Sequence, residues 1–236
     1  IFPEYESVFS NIFGKTSKEI LLHFSSPAEF ESITSEQLET ALEQVSFKKF
    51  ASKKISCISN IAKTSFGITF GLQSLTLQLK LLIQQINFIE QQVHDVEIQI
   101  KQLLHKINTP ITTIPGIGDI IGATILGEIG DIERFSNPSK LVAYAGIDAS
   151  VHQSGDYIST NNKMSKRGSP YLRTALFRAA LIASVHDPVF KAYYQKKRSE
   201  GKHHLTCLGA VARKLCYTIH AILKNNCEYK VQLPTE

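Results

Sequence analysis

A serine beside a glycine closes the run Ala149-Ser150-Val151-His152-Gln153-Ser154-Gly155, and Lys163, Lys166, Arg167 and Arg173 follow within twenty residues. A small neighbour leaves the hydroxyl of Ser154 open to a reactant. Serine attack on a phosphodiester needs cations to offset the charge that gathers on the non-bridging oxygens. Guanidinium groups suit that task because they bind phosphate with two parallel hydrogen bonds. A covalent phosphoserine would split strand exchange into two steps and conserve the energy of the broken bond. The same residues also fit a plainer account, a solvent-exposed loop serine beside a basic phosphate-binding helix. Ser150, Ser159 and Ser165 are rival hydroxyls, and Ser165 could instead cap a phosphate.

A second group with chemical potential is Ile114-Pro115-Gly116-Ile117-Gly118-Asp119-Ile120-Ile121-Gly122-Ala123. It resembles a helix-hairpin-helix motif. The glycine turn at Gly116 and Gly118 lets the backbone approach a phosphate, and the next helix aims its free N–H groups there. Gly122 and Ala123 keep that helix thin. Contacts of this kind grip the nucleic-acid backbone without reading sequence. A tight helix-helix turn with no ligand fits the same residues.

Other motifs fail. Gly14-Lys15-Thr16 has the ending of a P-loop, but Phe9 stands where its first glycine is required. Cys57, Cys207, Cys216 and Cys227 show no CxxC spacing and no zinc-finger interval to histidine, so they read as reduced thiols of a cytoplasmic protein. Every long apolar stretch is broken by Gln, Lys or Glu, so no membrane span is expected. No signal peptide is visible at the start. The chain begins at Ile1 and its only methionine is Met164, so a truncated N-terminus is expected.

The net charge of +5 conceals an asymmetry. Residues 1–71 carry net −1, residues 72–160 net −4, and residues 161–236 net +10. A basic C-terminal third on a near-neutral body points to a polyanion partner, DNA above all.

The elements that must position these groups are helical. Leu72, Leu75, Leu79, Leu82, Ile86, Ile89, Val93, Val96, Ile100 and Leu103 alternate steps of three and four, an unbroken a/d register. A long helix over 72–104 follows, with a continuous apolar stripe that needs a partner. A dimeric coiled coil is the expected solution and an intrachain hairpin the alternative. Gln78, Gln85, Gln92 and Gln99 at the g positions select partners weakly. Ser26-Pro27-Ala28-Glu29 and Thr34-Ser35-Glu36-Gln37 read as capping boxes. They predict helices near 27–32 and 35–46, and a third near 48–62. Asn137 or Ser136 before Pro138, Ser169 before Pro170 and Asp187 before Pro188 read as caps, predicting helices near 138–145, 170–185 and 188–199, with another near 204–224. Residues 147–162 are polar, with Gly155 between β-prone pieces, and predict a small hairpin or a loop.

The motifs together resemble the insertion-sequence transposases of the "IS one-ten" type. Pro115-Gly116-Ile117-Gly118, Arg134-Phe135, Leu141-Val142-Ala143-Tyr144-Ala145-Gly146-Ile147, Gln153-Ser154-Gly155, Ser165-Lys166-Arg167-Gly168 and Leu172-Arg173 stand in that family's order. The likeness covers about residues 110–224, and the heptad segment looks like the family's coiled coil. It implies a C-terminal transposase domain whose serine nucleophile corresponds to Ser154. It implies an N-terminal RuvC-like domain whose four acidic residues bind magnesium, and a structured noncoding RNA that chooses donor and target DNA. This chain has no candidate for the acidic domain, and Phe2-Pro3-Glu4 looks like the connector after it. Asp119, Glu128, Asp131 and Glu133 are too scattered to form a metal site, so no cofactor is expected in this piece, and alone it should be inactive.

The expected architecture is mainly α. A helical segment over 1–71 leads to a coiled-coil helix over 72–108, then a compact DNA-binding and catalytic domain over 109–230. A homo-oligomer through 72–104 is expected. Two other functions fit parts of the sequence: a non-catalytic DNA-binding protein, and a helical oligomerisation scaffold.

Overall fold

The computed structural model describes residues 1–34, 37, 48–148, 153–154, 157–158 and 164–231. The fold is mainly helical, and it divides into two compact units, Ile1–His94 and Asp95–Glu236.

In the first unit, helices α1 (Lys15–His23), α2 (Pro27–Glu31) and α3 (Lys48–Ala62) gather around an aromatic-rich core of Phe2, Tyr5, Phe24, Phe30, Ile55 and Ile58. Local chemistry starts α2 where the capping box requires. Ser26 Oγ accepts from the Glu29 amide, and the Glu29 carboxylate accepts from the Ser26 amide at 3.1 Å. Thr34 and Gln37 make the same reciprocal pair, while the rest of the helix expected over 35–46 lies outside the described residues. The Tyr5 hydroxyl bonds Ser17, and burial pushes its pKa above the usual phenol range.

The apolar stripe produces α4 (Leu72–Ile107), one uninterrupted helix in which the boundary between the units falls. The stripe itself is not what the chain covers. Leu82, Ile89, Val93, Val96 and Leu103 are all about half exposed, whereas Ile83 and Leu104, one position away, are buried. Lys18 of α1 pairs with Glu90 on this helix at 2.5 Å.

The second unit holds the larger core. After a 3-10 turn at Pro110–Thr113 come α5 (Asp119–Ile129), α6 (Pro138–Ala145), α7 (Pro170–His186), α8 (Pro188–Ser199) and α9 (His204–Asn225). The observed bounds follow the caps. Asn137 Oδ1 accepts from the Lys140 amide at 3.1 Å, Ser169 Oγ from the Leu172 amide at 3.0 Å, and Asp187 Oδ1 from the Phe190 amide at 2.8 Å. Helix α7 is central and packs against α5, α8 and α9. It can do so because Ala175, Ala179, Ala180 and Ala183 bury a face with little side-chain bulk. Two buried polar groups tie distant segments to this core. Asp187 Oδ2 accepts from the Tyr229 hydroxyl at 2.9 Å, and His220 Nε2 donates to the Phe135 carbonyl at 2.9 Å. Between α6 and α7, strands β1 (Gln153–Ser154) and β2 (Tyr157–Ile158) pair antiparallel, Gln153 opposite Ile158 and Ser154 opposite Tyr157.

Candidate nucleic-acid interface and serine site

The segment after β2 returns across the C-terminal end of α6, and backbone bonds hold it there. Ser165 N–H donates to the Asp148 carbonyl at 2.9 Å, Lys166 N–H to Gly146 at 3.0 Å, and Ser169 N–H to Tyr144 at 2.7 Å. The stretch of chain that contains β1 and β2 is therefore bounded by a backbone bond between Asp148 and Ser165. The crossing demands glycine on both chains. Gly146 ends α6 in the left-handed region at φ +65°, and a side chain there would meet the Gly168 nitrogen at 2.7 Å. A side chain on Gly168 would meet the Tyr144 carbonyl oxygen at 1.9 Å. Here the glycine of the Ser-Lys-Arg-Gly run serves a backbone contact.

Lys166 sits in the left-handed region at φ +53°, an uncommon place for a residue with a Cβ. Its side chain and that of Arg167 are exposed. Arg173 differs from both. It is half-buried, and its Nη1 donates to the Ala145 carbonyl at 3.2 Å, placing a cation at the negative end of α6. Ser165 Oγ donates to Asp148, so that rival hydroxyl is engaged with a carboxylate. Ser169 Oγ donates to Glu128 at 2.6 Å while capping α7, which joins α5 to α7. Ser154 is placed through its backbone in β1. Lys163, Ser150 and Ser159 lie outside the described residues.

The two glycines of the expected phosphate turn behave differently. Gly116 has φ +91° and faces α7: an added Cβ would lie 2.5 Å from the Ala179 carbonyl oxygen and 3.0 Å from the Ala183 nitrogen. Its requirement is close helix packing. Gly118 is extended, with φ −83° and ψ −179°, caps α5 and has open space where a side chain would go. Of the two, Gly118 is the exposed one. Gly122 lets α5 lie against the preceding turn, as a thin helix should, with Ile111 Cγ2 3.3 Å from its absent Cβ.

Arg134-Phe135 also has a packing role. The guanidinium lies 5.0 Å from the Phe135 ring centre and 4.9 Å from that of Tyr144. The acids each have a partner of their own. Asp119 is 3.7 Å from Lys101 and Glu133 is 3.6 Å from Lys224. Asp131 accepts from the Glu133 amide, and Glu128 accepts from Ser169. Among the described residues, no three His, Cys, Asp or Glu side chains are grouped to hold a metal ion. They do not fit a magnesium site.

One exposed cation escaped the reading of the sequence. Arg178 lies on α7 four residues after Thr174 and three before Leu181. Helical spacing puts the three on one face, which was the available signal. Further cations line α8 and the turn after it: Lys191, Lys196 and Arg198 are exposed. Glu200 takes both Lys197 and Lys202 as partners, and their hydrogen bonds hold its carboxyl down at about 2.

Comparison with known proteins gives this arrangement a context. Residues 108–195 match the family model described as "Transposase IS116/IS110/IS902 family". An insertion element IS900 uncharacterized 42 kDa protein from Mycobacterium paratuberculosis is 33% identical over 126 residues, 53% of this chain and 31% of that protein. An insertion element IS110 uncharacterized 43.6 kDa protein from Streptomyces coelicolor is 28% identical over 130 residues, 55% of this chain and 32% of its own. A pilin gene-inverting protein from Moraxella bovis is 32% identical over 126 residues, 53% of this chain and 39% of the relative. The chain thus spans about a third of the length of the curated relatives it matches.

Proposed function

We propose, from the match of residues 108–195 to the IS116/IS110/IS902 transposase family, that the chain is the DNA-handling part of a transposase, with Ser154 as the nucleophile. The observation that carries the reading is the backbone crossing at Gly146 and Gly168. It anchors the base of the Ser154 hairpin and turns Lys166 and Arg167 to solvent within the same few residues. Ser154 Oγ forms a bond to phosphorus while the bond from phosphorus to a deoxyribose oxygen breaks. The serine proton leaves, and the departing oxygen takes one up. Attack by a deoxyribose hydroxyl of another strand reverses the step and frees the serine. Lys166 and Arg167 offset the charge on the non-bridging oxygens. Helix α8 and the turn after it add sequence-independent attraction to the DNA backbone. Gly118, open at the start of α5, is a further point of phosphate approach, and Arg173 supports the site by holding the end of α6.

The resemblance to the family motivates three further parts of the proposal. Any magnesium the reaction needs would be held outside the described residues, among which no group of acids could hold it. A structured RNA selects the DNA partners. A second copy covers the α4 stripe.

The test places Ser154→Ala in a complete transposase that carries this segment. DNA affinity should stay near wild type, because only one hydroxyl is removed. The covalent protein–DNA adduct on a denaturing gel should disappear. An adduct mapped by mass to another serine, or full recombination by the alanine variant, overturns the assignment. Salt-sensitive binding with no adduct in the unsubstituted protein would favour a non-catalytic DNA-binding role.

A further inference from the structure

A groove of about 500 Å³ opens between α7, the N-terminal part of α9 and the segment that follows the Ser154 hairpin. Its floor is Met164, Phe177 and Leu208, and its apolar rim is Leu181 and Leu205, which are 45% and 59% exposed. The floor is reachable because α9 is thin there: a side chain at Gly209 would touch the Phe177 ring at 3.6 Å and Met164 Cε at 3.8 Å. Cations stand along the same groove. Lys166, Arg173 and Arg178 line it, and neither Lys166 nor Arg178 has an ion-pair partner among the described residues.

An apolar floor beside these cations matches a molecule with a flat apolar face on an anionic backbone. We propose that this groove seats one unstacked nucleotide of single-stranded DNA, its base against Phe177 and Leu205 and its phosphates against Lys166 and Arg178. The inference rests on the DNA-handling reading and names the form of DNA that the site takes. The volume falls within the ~300–1,000 Å³ typical of small-ligand sites, enough for one extruded nucleotide. Bases stack on any aromatic face, so such a seat tolerates any sequence. DNA is named as the occupant because the proposed function is DNA handling, and bases of either nucleic acid could stack on Phe177. Met164 and Lys166 of the lining follow the proposed nucleophile by ten and twelve residues in the chain.

The test uses the full chain with four fluorescein-labelled probes: oligodeoxythymidylate, oligouridylate, an abasic deoxyribose oligomer, and a duplex. Oligodeoxythymidylate should bind more tightly than the abasic strand. Combining Leu181→Ser with Leu205→Ser removes the apolar rim without adding charge. It should weaken oligodeoxythymidylate binding about tenfold while leaving the abasic strand and the duplex unchanged. Both leucines are exposed, so circular dichroism should be unaltered. Equal affinity of the unsubstituted chain for the thymidylate and abasic strands would overturn the inference, as would no effect of the double substitution. In both results normal duplex binding leaves the DNA-handling reading standing. Tighter leucine-dependent binding of oligouridylate would overturn the assignment to DNA. A change in sedimentation mass without a change in affinity would make the groove a protein contact and overturn it as well. No binding of any probe would refute the DNA-handling reading itself.

Discussion

Replacing Gly116 by alanine should damage the fold, and the size of the effect can be worked from two features of the site. At φ +91°, an L-residue carries a cost of roughly 1–2 kcal/mol that glycine does not. The new Cβ would also lie 2.5 Å from the Ala179 carbonyl oxygen and 3.0 Å from the Ala183 nitrogen. Both are backbone atoms of a buried helix, so relief requires α7 to move away from the turn. Overpacking of this kind costs about 1–3 kcal/mol. Together the two terms predict a loss of roughly 2–5 kcal/mol, a large share of the ~5–15 kcal/mol that holds a typical domain. Urea denaturation followed by circular dichroism measures it as a lower midpoint at constant slope. The thermal midpoint should fall by roughly 5–15 °C for a unit of this size. Gly118→Ala is the matched control. Its φ is −83° and its side-chain space is open, so the loss should stay below about 1 kcal/mol. If Gly116→Ala stays within about 0.5 kcal/mol of wild type, or Gly118→Ala falls as far, the packing account of the turn is wrong.

Three further outcomes follow from the basic segment and the long helix. Arg173→Ala should lose about 1–2 kcal/mol of stability, since it strips the Ala145 carbonyl of a charge-assisted bond at the end of α6; denaturation that matches wild type would refute that role. Lys166→Ala with Arg167→Ala should leave stability within about 0.5 kcal/mol while weakening unrelated DNA sequences about equally in fluorescence anisotropy, and a loss confined to one sequence would mean base readout. Val93→Asp with Val96→Asp should keep the helix, because both positions are exposed in the single chain, yet reduce the mass seen by sedimentation if a second copy covers the stripe. An unchanged mass would remove the self-association proposal.

The features legible in the residues alone are local. Each N-cap serine, asparagine or aspartate followed by proline fixes where a helix begins, because the cap bonds an amide only two or three residues away. Asn137, Ser169 and Asp187 open α6, α7 and α8 where their side chains predict. The three-and-four spacing from Leu72 to Leu103 likewise determines one long helix, since it depends on the period of the backbone alone. The motif order was equally legible, and it agrees with the family model that residues 108–195 match. Only the tertiary structure decided what the motif residues touch. Gly116, expected as a phosphate turn, also lies against a carbonyl of Ala179, sixty-three residues away. Arg173, expected as a phosphate ligand, also caps a helix that ends twenty-eight residues earlier. Arg134 stacks on Tyr144, and the groove joins Met164, Phe177 and Leu205 from separate segments. Spacing cannot announce such contacts, because they depend on how whole helices approach one another. The same holds for α4, where periodicity marks an apolar face and the chain's own packing selects Ile83 and Leu104 beside it, leaving Val93 and Val96 in water.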